Sequence, residues 1–387
     1  MVFPRYKYSC FALATWLAWL YCVERSLIIM KLTGREKSYI WLDSFSLTDS
    51  EKRKLISHFG SAVALLKNFL EAKPLFVEFK KQSVYEAMKS SLLDDGRYFA
   101  SVIQEFQTQG VTPVAYGSEY YPKVWLEMED APLVLYAKGD LSLLNARLFC
   151  VVGSRRTAPA VLKLAEKISE ELSQSLTLVT GVADGADTAV IEGALKRGKP
   201  ICMLAGGFGN IPKSNPALLK AVAEKGLLLA PHQNDVPVFA FSYEYRNKLL
   251  ATLCEGTLVL SAGEKSGALI TAKYASEFGK KLFALPYAPM SASGLGCNAL
   301  IKNGAKLTEN AEDILTEFGL EVKEIPTVAL TEIESQAVNY LRKAGEAHVS
   351  EIATALQIPL FKIPVLLSAL EMKGVVVKLG GNRYSAV

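Results

Sequence analysis

The chain has 387 residues, half of them hydrophobic and 21% charged, with a formal net charge of +4 and an isoelectric point near 8.5. That length accommodates two or three domains with sizeable cores, and the composition excludes wholesale disorder. The mild basicity excludes a histone-like polycation, so a nucleic-acid site has to come from local clustering of charge.

The six cysteines are Cys10, Cys22, Cys150, Cys202, Cys254 and Cys297. None forms a C-x-x-C pair, and Cys150 and Cys202 lie in apolar runs, so buried reduced thiols are expected rather than disulfides or metal ligands. His58, His232 and His348 lack metal-ligand spacing, and no metal site is expected.

At the N-terminus, Arg5 and Lys7 precede an apolar run from Cys10 to Val23. The run is shorter than the roughly 20 residues of a membrane span, and no small-x-small cleavage site follows it. Met30 then opens an ordinary polar start, so residues 1–29 are expected to be a non-native extension of a cytoplasmic protein without a membrane anchor. Residues 40–110 read as a helical domain. Asp49 to Phe59 and Ala62 to Leu70 repeat apolar residues at helical spacing, and Gly60-Ser61 joins them into a compact helix-turn-helix unit. Such a unit suits either a nucleic-acid backbone contact or a packing and spacer role.

From residue 111 to 318 short apolar runs end at Gly, Ser or Pro: Leu148 to Val152, Leu176 to Val179, Ile201 to Ala205, Thr257 to Leu260 and Leu282 to Leu285. Helical patterns lie between them at Ala160 to Leu172, Asp187 to Lys196, Pro216 to Lys225 and Ser266 to Phe278. This alternation predicts an α/β fold with a Rossmann-like, doubly wound parallel sheet. A charged, Pro-containing linker is expected over 319–329. Residues 330–387 give three helical patterns, at Glu332 to Lys343, Val349 to Leu356 and Leu360 to Lys373, and a closing hairpin around Gly380-Gly381. Three helices and a two-stranded wing describe a winged-helix module, in which Pro364 would kink the recognition helix unless it lies in the first turn. Its six Lys and Arg against five Asp and Glu favour a protein contact over duplex reading.

In a parallel α/β sheet a ligand sits beyond the carboxyl ends of the strands, where helix N-termini favour anions. Three loops suit phosphate: Gly153-Ser154-Arg155-Arg156, Thr180 to Asp187, and Ser266 to Ala272 with Lys265 ahead of it and Thr271 within it. A fourth segment, Tyr243 to Lys248, sets Arg246, Asn247 and Lys248 beside aromatic rings, a mixture suited to single-stranded nucleic acid. Singly, each has an ordinary explanation as turn glycines, core aromatics or a solvated patch.

A dinucleotide site is disfavoured: Gly207-Phe208-Gly209 is followed by Ile211-Pro212 instead of x-x-G opening a helix. A Walker loop and a nucleophile elbow are absent. Asp184 and Asp187 could form a carboxylate pair, but Asp187 capping the following helix is the simpler expectation. No catalytic residue and no cofactor is expected; the alternative function is a Rossmann-like nucleotide-binding protein or nucleotide hydrolase.

In order along the chain, these motifs resemble the DprA/Smf family of DNA-processing proteins. Val151 to Arg155 is similar to its V-G-S-R strand end, Thr180 to Asp187 to its S-G-x-A-x-G-x-D loop, and Arg246-Asn247-Lys248 to its R-N-R segment. Ser266 to Ala272 matches S-G-x-L-I-T-A, and Gly296 to Ala305 matches G-x-N-x-L-I-x-x-G-A. The likeness extends from about residue 40 to 387. It implies a small N-terminal helical (SAM/helix-hairpin-helix-like) domain, a Rossmann-like DNA-binding domain and a C-terminal winged helix. It also implies single-stranded DNA binding, homodimerisation and delivery of the DNA to the RecA recombinase, in DNA processing and natural transformation. By position, Arg155 would grip phosphate, Arg246 and Lys248 would line the same groove, and Tyr243 would stack on bases. Gly153, Gly181 and Gly267 would let the backbone come close. Two departures from the family pattern, Asp184 where it has arginine and Ile191 where it has histidine, imply weaker or more salt-sensitive DNA binding.

Overall fold

The structure, a computed structural model, describes residues 32–211, 214–233, 236–321 and 329–386. The expected extension 1–29, with Cys10 and Cys22, and most of the expected linker lie outside the described residues.

Six helices come first: α1 (Gly34–Asp43), α2 (Asp49–Phe59), α3 (Ala62–Lys67), α4 (Lys73–Glu78), α5 (Gln82–Leu93) and α6 (Arg97–Thr108). There follow β1 (Thr112–Ala115), β2 (Val134–Gly139), β3 (Leu148–Val152), α7 (Pro159–Leu172), β4 (Thr177–Thr180), α8 (Ala186–Arg197) and β5 (Ile201–Met203). The chain continues through α9 (Pro216–Lys225), β6 (Leu227–Ala230), α10 (Ala240–Leu253), β7 (Gly256–Val259), α11 (Gly267–Glu277) and β8 (Lys281–Ala284). It closes with α12 (Leu295–Lys302), β9 (Lys306–Leu307), α13 (Ala311–Glu317), α14 (Glu332–Ala344), β10 (Ala347–His348), α15 (Val349–Leu356), α16 (Ile363–Met372), β11 (Val376–Lys378) and β12 (Arg383–Ala386).

The chain divides into two compact units. One comprises the residues up to Asn145 with Leu204–Ile211 and Leu227–Tyr243; the other comprises Ala146–Met203, Pro212–Gly226 and Glu244 onward. In the first unit α6 buries Phe99, Ile103 and Phe106, one stripe at helical spacing. Trp41 is fully buried, meets Phe69 edge-on at 5.5 Å and donates its indole N–H to Ser91 Oγ at 2.9 Å. The buried Asp43 carboxylate accepts from Lys52 Nζ at 2.7 Å and from the Tyr136 hydroxyl at 2.5 Å, which satisfies a charge that burial alone would make costly.

Strand β2 pairs antiparallel with both β1 and β6, which corrects the expectation of a purely parallel sheet after residue 110. Between β1 and β2 the chain makes only a short 3-10 turn, Lys123–Trp125, and antiparallel neighbours need no crossover helix. The expected helix over Ala62 to Leu70 ends at Lys67 and passes into a 3-10 turn, Phe69–Ala72.

The second unit holds the parallel sheet, in the order β5-β4-β3-β7-β8-β9. All five residues of β3 are buried, as a strand covered on both faces requires. Phe149, Ile168, Leu172, Leu178, Val190, Leu258 and Phe283 belong to its core. At the C-terminal end α14, α15 and α16 surround a separate core of Leu341, Ile352, Ile363, Leu367 and Tyr384, with a small antiparallel sheet β10-β12-β11. Pro364 sits in the first turn of α16, where no intrahelical hydrogen bond is lost, so the helix is not kinked. Among the described residues no single helix is long and apolar enough to cross a membrane.

Candidate functional site

Strand order reverses direction between β3, whose next strands β4 and β5 run to one side, and β7, which pairs on the other. This is the switch point at which an open α/β sheet leaves a crevice beyond its carboxyl ends. The β3 loop is held there by hydroxyls. Ser154 N–H donates to Ser261 Oγ at 3.0 Å, and the Ser154 carbonyl accepts from Ala186 N–H at 3.2 Å. Thr157 Oγ1 donates to the Ser154 carbonyl at 2.9 Å and lies 2.6 Å from Ser261 Oγ. A Cβ on Gly153 would come 2.5 Å from Ala186 Cβ, so the first loop can lie against the second only without a side chain there. With its backbone locked, the loop carries Arg155 and Arg156 outward; both are exposed.

The second loop is organised around a buried charge. Asp187, 5% exposed, accepts from Ala183 N–H at 3.1 Å and faces Arg246. A Cβ on Gly181 would meet Arg246 Nη1 at 2.1 Å and Asp187 Oδ2 at 2.4 Å. Burial pushes the Asp187 carboxyl above its usual range, against the pull of the Arg246 guanidinium and the Ala183 N–H. Helix α8 has no side-chain N-cap; Asp187 closes its own loop instead of capping the helix as expected. Asp184, by contrast, is exposed. Among the described residues no group of three or more His, Cys, Asp and Glu could hold a metal ion.

The third element is the N-terminus of α11, capped by Ser266 Oγ, which accepts from Ala268 N–H at 3.3 Å. Lys265 and Gly267 are exposed beside it, so a cationic side chain adds to the positive end of the helix dipole. Arg246 and Asn247 act behind this surface as a strut. Arg246 Nη1 donates to the Met203 carbonyl at 3.0 Å, its Nε donates to Asn247 Oδ1 at 2.9 Å, and Asn247 Nδ2 donates to the Gly267 carbonyl at 3.1 Å.

The sequence-predicted residues therefore fall into layers. Arg155, Arg156, Lys265 and Gly267 are exposed, and Gly153, Ser154 and Ser266 are half-buried. Gly181, Arg246, Asn247 and Thr271 are buried, which corrects the expectation that Arg246 lines a groove. Lys248 is half-buried, its ammonium 5.7 Å from the Tyr274 ring centroid and 5.9 Å from that of Phe278. Tyr243, 41% exposed, belongs to the first unit. Ile191 is 1% exposed, a core residue of α8. Sequence reasoning missed the locking pair Thr157 and Ser261, which no periodicity marks. It also missed Glu264, an exposed carboxylate beside Lys265 that adds to Asp184. Cys150, Cys202, Cys254 and Cys297 are buried free thiols; burial pushes the Cys297 thiol up to about 12.

The family model for DNA recombination-mediator protein A matches residues 112–319. A DNA processing protein DprA from Streptococcus pneumoniae is 36% identical over 200 residues, 51% of this chain and 71% of that protein. One from Bacillus subtilis is 34% identical over 222 residues, 56% of this chain and 74% of that protein. The X-ray structure of the Streptococcus pneumoniae DprA superposes with a TM-score of 0.58 and 28% identity, covering 74% of this chain and 99% of its own.

Proposed function

Because this chain belongs to the DprA/Smf family of DNA recombination-mediator proteins, we propose that it captures single-stranded DNA on the parallel-sheet unit and hands it to the RecA recombinase without chemistry of its own. The observation that carries this reading is the switch-point surface, where Arg155, Arg156 and Lys265 project from loops of fixed backbone beside the exposed start of α11. Guanidinium and ammonium groups on such a frame bind phosphates in sequence, and a helix N-terminus adds donors to the same anion. In this reading Ser154, Ser266, Gly153 and Gly267 bring backbone to the strand, Arg246, Asn247 and Thr271 support the loops, and Lys248 adds charge.

The remaining parts serve assembly. The protein acts as a homodimer in the cytoplasm, during recombination and DNA uptake, with the first helices as a SAM-like module. The C-terminal helices and small sheet form a winged helix that contacts protein, since Phe361 and Val365 at the start of α16 are 75% and 74% exposed and the module's charge is nearly balanced. The test is fluorescence anisotropy with labelled single-stranded and duplex oligonucleotides across a salt series, followed by RecA filament nucleation on the captured strand. Single strands are expected to bind more tightly, with affinity falling as salt rises, and Arg155→Ala should weaken binding and lower the salt slope by about one. Equal affinity of wild type and Arg155→Ala would overturn the assignment of the groove.

A further inference from the structure

The turn between α2 and α3 has no part in DNA capture by the other unit, yet it borders an open cleft of about 870 Å³. Arg53 of α2 donates through Nη2 to the Ala131 carbonyl, while its Nε–H is buried with no acceptor among the described residues. Arg35, in the first turn of α1, sets its charge beside the Tyr39 hydroxyl, where it opposes the rise that burial gives the Tyr39 pKa, and it lies over Gly117, where a Cβ would clash with its guanidinium. Among the described residues neither arginine forms an ion pair, whereas Arg147 holds Glu255 and Arg383 holds Glu346. Both arginines line one cleft, and with no carboxylate in ion-pair contact among the described residues their charge is left for an anion. An oxyanion seated between the two arginines meets positive charge and N–H donors from both sides, and phosphate suits guanidinium donors.

The cleft is much larger than inorganic phosphate and lies in the range of small-molecule sites. Leu133 and the half-buried ring of Tyr116 give it apolar wall, Tyr116 lying 5.6 Å from Tyr39 between ring centroids. Glu129, exposed on the lining, offers an acceptor to a hydroxyl or amine.

From these features we infer that the cleft binds a phosphorylated nucleoside, its phosphate between Arg35 and Arg53 and its ring system against Tyr116 and Leu133. The ligand is either a free mononucleotide or the 5′-phosphorylated end of a DNA strand. Isothermal titration of the full chain with thymidine monophosphate, thymidine and inorganic phosphate tests this. The monophosphate is expected to bind, and thymidine about tenfold or more weakly. Arg35→Gln and Arg53→Lys should each cost about tenfold in affinity for the monophosphate, with urea unfolding showing that both variants remain folded. Arg53→Lys keeps the charge and removes the planar fork, so it tests guanidinium geometry apart from charge. Arg155→Ala should leave this affinity unchanged, which keeps the result independent of DNA capture by the parallel-sheet unit. Displacement of the monophosphate by a 5′-phosphorylated oligothymidylate identifies a strand end, and failure to displace identifies the free nucleotide. No binding of the monophosphate, binding that both arginine variants retain, or equal displacement by the 5′-hydroxyl oligonucleotide would overturn the inference.

Discussion

Arg155 and Arg246 carry the same charge in adjoining motifs, and burial separates what they do. Arg246, 6% exposed, faces Asp187 and holds the Met203 carbonyl. Its replacement by Ala leaves a carboxylate buried without its cation, so urea unfolding should show a loss of about 3–5 kcal/mol. Arg155→Ala lies on the surface and should change stability by no more than about 0.5 kcal/mol while weakening DNA binding. Asp184, exposed on the second loop, repels phosphate; Asp184→Arg is expected to raise affinity for single strands, and unchanged anisotropy would place Asp184 outside the DNA path. His232 gives the first unit a pH dependence. Burial lowers its pKa, Lys52 lowers it further, and Asp49 and Asp43 oppose. The unfolded chain takes up this proton below about pH 6.5 while the folded chain does not. The stability present at neutral pH is therefore lost as pH falls from that value toward the folded pKa. His232→Gln should flatten the dependence, measured as urea midpoints between pH 7 and 5.

At the scale of elements, helix starts follow a local rule. Thr33 with Glu36, Thr48 with Glu51 and Thr331 with Glu334 all form reciprocal capping boxes, each written in sequence as T-x-x-E. In α14 the cap also reaches tertiary structure, because Glu334 accepts from Lys373 Nζ at 2.7 Å. Thr331→Ala should destabilise the C-terminal module by about 1 kcal/mol, read from its chemical denaturation. Helix α10 was legible only as a cluster of cations and aromatics, not as a helix. It buries Leu249, Leu250, Ala251 and Leu253 together with Ser242, Arg246, Asn247 and Thr252, and a helix covered on most sides shows no clean apolar stripe. Strands β3 and β7 were found within a residue of their bounds, because a strand covered on both faces is a continuous apolar run between turn residues.

At the scale of the molecule, contiguity along the chain and compactness in space part company. The first unit takes Leu204–Ile211 and Leu227–Tyr243 from the middle of the chain, so a cut near residue 110 divides a core. A fragment beginning at residue 111 should therefore unfold without cooperativity. The C-terminal module has a core drawn wholly from residues 337–384, and a chain ending at residue 329 should keep a cooperative thermal transition; its loss would show that the module supports the rest.

The α/β class and the family are legible in the sequence alone, because turn glycines, buried strands and helix caps are written in neighbouring residues. Only the tertiary structure decided that Arg246 and Asn247 are buried supports while Arg155, Arg156 and Lys265 face solvent. It alone decided that β2 runs antiparallel to β1 and β6, and that Arg35 and Arg53, 18 positions apart in the numbering, line one cleft. Burial and long-range pairing depend on which elements cover one another, and no local pattern encodes that.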